Sequence, residues 1–211
     1  MKTISRADKE KAAQLFSRIE EHLLSEEKPS AALKEMLKAG DFDSYPFSML
    51  KKLGETEQSP VHHPEGNVWN HTLLVVDEAA KRRQESSDTR AFMWAALLHD
   101  IGKPATTRSR KGRITAYDHD KIGAELAEEF LSAVTEDRRL IEKVTQLVKY
   151  HMQILYVINN LPFKDIAGMK RHSDIREVAL LCLCDRLGRP GVNRDKEEAQ
   201  IKMFISICEN Q

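Results

Sequence analysis

Six side chains of the types that bind divalent metals stand out in this sequence: His71, His99, Asp100, His119, His151 and Asp185. Each falls in, or at the end of, a stretch patterned as a helix, and five separate helices are involved. A helical bundle can aim side chains from facing helices at one interior point, so distant positions can share an ion. His99 and Asp100 are neighbours, about 100° apart around a helix axis. Both reach one point if the helix ends there, and Gly102 and Pro104 supply that ending. Imidazole nitrogen with carboxylate oxygen suits manganese, iron, cobalt, nickel, zinc or magnesium, and does not choose among them.

A lone histidine on a helix is more often a hydrogen-bonded core or surface residue than a ligand, and His22 and His172 are read that way. The His99–Asp100 pair differs, because it closes the apolar run Ala91, Trp94, Ala95, Leu97, Leu98. Burying ionisable groups there is unfavourable unless something compensates them, and a metal does. Asp185 follows another apolar run, but Arg186 and Arg189 offer it ordinary ion pairs, and spacing leaves both readings open. Cys182 and Cys184 point away from each other on a helix, lack the other half of a thiolate site, and are assigned to the core. Lys103, three residues beyond Asp100, can neutralise charge on a phosphate oxygen. The basic stretch Thr106, Thr107, Arg108, Arg110, Lys111, Arg113 reads equally as a solvated loop or as phosphate steering.

The elements that must position these residues are helical. Patterning predicts helices over residues 4–25, near 33–37, in a short piece ending near Gly54, and over 68–83 and 89–99. Further helices are expected over 119–133, 137–151, 174–187 and 194–208, with an exposed loop or short hairpin at 105–118. Pro162, Gly188, Pro190 and Gly191 mark breaks. The reading is an all-α bundle, with residues 1–55 as a helical extension packed on a core domain of residues 56–211. The 211 residues suit one substantial core. Thirty-three basic and thirty-three acidic side chains cancel, so no global field recruits nucleic acid or an anionic membrane. Three cysteines argue against a disulfide scaffold. The first residues lack the apolar core of a signal peptide, and no apolar run approaches the roughly 18 residues of a membrane span. A cytoplasmic location is expected.

The motifs WNHTL around His71, LLHDIGK at 97–103, DHDKIGA at 118–124, KYHM at 149–152 and CDRLGR at 184–189 together resemble the HD-domain superfamily of metal-dependent phosphohydrolases. The stretch HPEGNVWNHT, from His63 to Thr72, is similar to the HD domain behind the catalytic head of bacterial tRNA nucleotidyltransferases. The resemblance covers roughly residues 60–190. The nucleotidyltransferase head, with its glycine-serine turn and paired carboxylates, is absent from this sequence, so CCA addition is not inferred.

The resemblance implies an HD-type helical fold and a metal held by His71, His99, Asp100 and Asp185, with His119 and His151 as ligands of a second ion or contacts to substrate phosphate. It implies hydrolysis of 2′,3′-cyclic nucleotides or nucleoside phosphomonoesters through a metal-activated water, with Asp100, Lys103, His119 and His151 acting on the reaction. His63, Lys103, Arg186 and Arg189 are the expected substrate contacts, although His63 serves equally well to cap the turn at Pro64. The implied partners are a small nucleotide or phosphoester, with an RNA 3′ end as a further candidate. A nucleotidase, a nucleoside triphosphate or alarmone hydrolase, and a non-catalytic module binding a nucleotide or tRNA remain the alternatives. Oligomeric state is not encoded in any of these patterns.

Overall fold

The computed structural model describes residues 6–211. The start of the first expected helix, residues 4 and 5, and the Arg110 side chain lie outside the described residues. Three N-terminal helices, α1 (Arg6–Ser25), α2 (Pro29–Lys38) and α3 (Ser48–Gly54), precede α4 (Val68–Arg82) and α5 (Thr89–Leu98). A single turn, α6 (Lys103–Thr106), leads into a hairpin of β1 (Arg108–Arg110) and β2 (Arg113–Thr115). Then come α7 (His119–Ser132), α8 (Arg138–Tyr150), α9 (Gln153–Ile158), α10 (Ile166–His172), α11 (Ile175–Leu187) and α12 (Arg194–Glu209). The fold is all-α apart from that hairpin.

Helix starts follow local chemistry. Asn67, Asp88, Asp137, Asp174 and Asn193 each accept a backbone N–H from the first turn of α4, α5, α8, α11 and α12. Such caps are each worth about 1 kcal/mol. Helix α5 is central: every residue from Ala91 to Leu98 is buried, with α4, α8, α11 and α1 packed around it. Its uniform apolarity thus reflects neighbours on all sides. The N-terminal helices join the same core. Phe16 stacks on Trp94 at 4.4 Å, Trp94 Nε1 donates to Glu20 at 2.9 Å, and the Ser30 N–H and hydroxyl both donate to Asp77 of α4.

Three local features differ from the sequence reading. Helices α9 and α10 were not expected, being six and seven residues long, too short to carry a clear period. Pro104 does not simply stop α5. That helix ends at Leu98, and Pro104 sits in the first turn of α6, where its missing N–H has no intrahelical role. Between the two, a turn carries His99 and Asp100 out of the helical path.

Candidate metal centre

All six metal-binding side chains meet at one end of the bundle. His71 comes from the first turns of α4, His99 and Asp100 from the turn after α5, His119 from the start of α7, His151 from the end of α8, and Asp185 from α11. All are buried, His71 and His99 completely. Two close approaches set the spacing. A Cβ on Gly102 would stand 2.2 Å from the His119 carbonyl oxygen and 2.6 Å from the Gly123 N–H nitrogen, so only glycine lets the Asp100 turn lie against α7. A Cβ on Gly188 would stand 2.7 Å from Val75, so glycine also lets the end of α11 bring Asp185 to His71.

Asp100 is the hub. Its Oδ2 lies 3.2 Å from His99 Nε2, 4.0 Å from His71 Nε2 and 2.7 Å from Lys103 Nζ. Its Oδ1 faces His119 Nε2 at 3.5 Å and His151 Nε2 at 3.9 Å. Asp185 Oδ1 lies 2.9 Å from His71 Nε2 and accepts from Arg189 at 3.2 Å. His119 and His151 bring their Nε2 atoms within 3.2 Å of each other. Donors bound to one ion at about 2.1 Å lie roughly 3 to 3.4 Å apart in octahedral or tetrahedral arrangement, and these separations bracket that range.

The histidines are also turned for ligation. The Nδ1 atoms of His99, His119 and His151 are tied to the carbonyl oxygens of Ala96, Ala116 and Val148 at 2.9, 2.7 and 2.6 Å, leaving each Nε2 facing the centre. His99 Nε2 and Asp100 Oδ2 are buried without a hydrogen-bond partner, since their short contacts are not aligned as donor and acceptor. Orphaned buried groups of these types are what a cation satisfies. The cluster is therefore one that can hold a metal ion.

Electrostatics agree. Burial alone would raise the Asp100 carboxyl, but Lys103, with His99 and His119, holds it well below the usual carboxylate range. Asp185 is likewise raised by burial and held low by Arg189 and His71. Burial would depress the His71 imidazole, yet the Asp185 and Glu65 carboxylates beside its two ring nitrogens lift it above its ordinary value. His151, by contrast, is pushed down to about 3 by burial and by His119 and His99.

Asp100, His119, His151 and Asp185 line an open cavity of about 180 Å³, together with Lys103, His63 and Arg189. Burial, reinforced by Lys103 and His71, pushes the His63 imidazole down to about 4, so it is neutral at physiological pH. Arg186 is placed elsewhere. Its guanidinium binds Glu197 and Gln200 of α12, outside the cavity lining, because one residue's step around α11 turns it away from Asp185. The hairpin contributes Ile114 and Thr115 to the rim. Two residues were missed from sequence. Gln58 Oε1 accepts from Lys103 Nζ at 2.6 Å, and Glu65 Oε1 lies 2.8 Å from both His63 Nδ1 and His71 Nδ1. Both come from the irregular segment between α3 and α4, whose contacts no periodicity encodes. Cys182 and Cys184 are core, with burial pushing the Cys182 thiol up to about 12.

Comparison with known proteins covers the segment that carries this cluster. The HD domain family model matches residues 68–189, from the start of α4 to Arg189. Among curated relatives, the chain is 31% identical over 179 residues to the multifunctional CCA protein of Methylococcus capsulatus, covering 80% of this chain and 40% of that protein. It is 31% identical to the CC-adding tRNA nucleotidyltransferase of Thermus thermophilus, over 67% of this chain and 32% of the relative. It is 32% identical to the A-adding tRNA nucleotidyltransferase of Deinococcus radiodurans, over 45% and 21%. The chain thus spans less than half the length of these relatives. Among the described residues, no helix is long and apolar enough to cross a membrane. With more than half its length matched, the chain belongs to the HD domain family, a superfamily of metal-dependent hydrolase type.

Proposed function

We propose that this protein is a metal-dependent phosphohydrolase acting on 2′,3′-cyclic nucleotides or nucleoside phosphomonoesters. The observation that carries the reading is the Asp100 hub, a buried carboxylate with histidine nitrogens on both oxygens and Lys103 beside it, open to a cavity. His71, His99, Asp100 and Asp185 would hold the ion, and His119 with His151 would hold a second ion or contact the phosphoryl group. A divalent ion there supplies a Lewis acid for phosphoryl oxygens and acidifies a water nucleophile.

The chain's own residues supply the rest. Lys103 and Arg189 place two permanent cations in the cavity wall, where charge accumulates on the phosphoryl oxygens. The Arg189 Nε is buried without a hydrogen-bond partner, which leaves a donor for an anionic oxygen. Asp100 remains a carboxylate at neutral pH, an acceptor that orients the attacking water. Neutral His63 presents a polar edge to the substrate. Gln58 holds the Lys103 ammonium at the centre. In this reading residues 1–55 are a packing extension of a domain formed by residues 56–211.

The names of the relatives support an RNA 3′ end as a natural source of such phosphoesters. The test is hydrolysis of 2′,3′-cyclic AMP, p-nitrophenyl phosphate and a short RNA ending in a 2′,3′-cyclic phosphate, after chelation and re-addition of Mn²⁺, Ni²⁺, Co²⁺ or Mg²⁺. Activity should return with metal and vanish in Asp100→Ala. Metal binding without turnover of any of the three would reject this substrate class and favour a binding module or a nucleotidase of narrower choice.

A further inference from the structure

His71 is oriented differently from the other three histidines of the centre. His99, His119 and His151 each direct Nδ1 to the carbonyl oxygen three residues earlier, a neutral acceptor within their own segment. His71 instead has Nδ1 2.8 Å from Glu65 Oε1, and His63 Nδ1 donates to that same oxygen at 2.8 Å. The Glu65 side chain is only 3% exposed. Its Oε2 is buried without a partner, and the His71 contact is short but off the hydrogen-bond axis. The backbone around it is pinned, because Asn70 Nδ2 donates to the Glu65 carbonyl and Asn67 caps α4.

A buried, under-satisfied carboxylate is unfavourable in general and persists where it compensates another charge. Here it faces the ring nitrogen opposite the one aimed at Asp185 and Asp100. We propose that Glu65 is a positioning residue that holds His71 with its proton on Nδ1 and its Nε2 toward the cation, while tying His63 into the cavity wall. The proposal rests on the metal-site reading above. The trio His63, Glu65 and His71 also has the residue types of a separate metal site. A second ion on His71 Nδ1 would require an imidazolate bridge, whereas donation of the free N–H to a carboxylate is the usual arrangement of a ligating histidine.

The experiment compares wild type, Glu65→Ala, Glu65→Gln and His63→Ala, each stripped by chelation. Mn²⁺ affinity is measured by calorimetry, and the His71 ring nitrogens by ¹⁵N-resolved NMR with diamagnetic Zn²⁺. Glu65→Ala should weaken Mn²⁺ binding about 10- to 100-fold and abolish the slowly exchanging His71 Nδ1–H signal. Glu65→Gln, which keeps an acceptor oxygen, should retain that signal and recover most of the affinity, and His63→Ala should leave affinity nearly unchanged. If Glu65→Ala does not fold, loss of the Nδ1–H signal in Glu65→Gln overturns the proposal. Wild-type affinity in Glu65→Ala overturns it as well, while leaving the metal site standing. A wild type that binds neither Mn²⁺ nor Zn²⁺ overturns the metal-site reading and this proposal with it. One additional bound ion, lost in His63→Ala, would replace the positioning role with a separate metal site.

Discussion

The two halves of the centre share Asp100 but differ in charge. On the Oδ2 side, His71 and His99 stand with Asp185 and Glu65, so three carboxylates, Asp100 included, face two permanent cations, Lys103 and Arg189. On the Oδ1 side, His119 and His151 face each other, and His151 is neutral, pushed down to about 3 by burial and its neighbours. The first half carries an excess of negative charge. The second is a pair of imidazoles with their Nε2 atoms turned to one another. A divalent ion gains far more from the first half, and the second suits a more weakly held ion.

The comparison breaks most directly with Asp185→Asn against His151→Ala. Asp185→Asn should lower Mn²⁺ affinity more than ~100-fold, beyond the loss typical of an outer-sphere partner. His151→Ala should leave the tightest site nearly intact while lowering turnover about 100-fold. Equal losses of Mn²⁺ affinity, measured by calorimetry, would mean that the halves are one site. Gly102→Ala acts on both at once, since the new methyl meets the backbone of α7. It should destabilise the fold by about 1–3 kcal/mol in urea titrations. A variant of unchanged stability would show that the two halves are not held by this contact.

The arginines provide a smaller contrast. Arg189→Ala should raise KM for a phosphomonoester about tenfold through loss of a charge-assisted contact. Arg186→Ala, which removes a pair to α12, should leave KM unchanged; a KM rise in Arg186→Ala would return it to the substrate. The smallest effect concerns Asp88, the cap of the helix that leads to His99. Burial pulls its carboxyl upward, but Lys143 at 2.6 Å and the Ala91 N–H hold it below its ordinary value. A carboxyl depressed on folding adds stability above its unfolded pKa of about 4 and loses it as pH falls through the folded value. Asp88→Asn should therefore lower Tm at neutral pH and narrow the drop in Tm on acidification. Parallel Tm profiles for the two proteins would exclude the contribution.

Part of the centre was legible because His99 and Asp100 close an apolar helix and Asp185 follows another apolar run, where an ionisable group needs a reason to be buried. Asp185 and Arg186 could not be separated that way, since neighbours on a helix share the same sequence context and differ only in direction. Gln58 and Glu65 were not singled out because they lie in a segment without period, rich in turn residues, whose geometry is set by what it packs against. Helices α9 and α10 escaped for a related reason. Six or seven residues complete fewer than two turns, too few to distinguish a helical period from chance.

The sequence by itself determined the helical class, the order of the long helices and the residues able to bind a cation, because side-chain period and residue type are local properties. Tertiary structure alone decided that Asp100 turns one oxygen to each pair of histidines, that Arg189 rather than Arg186 reaches the cavity, and that Glu65 stands behind His71. Those outcomes depend on how closely the Asp100 turn approaches α7 at Gly102 and α11 approaches α4 at Gly188. Such distances arise from the packing of the whole core, and no single segment encodes them.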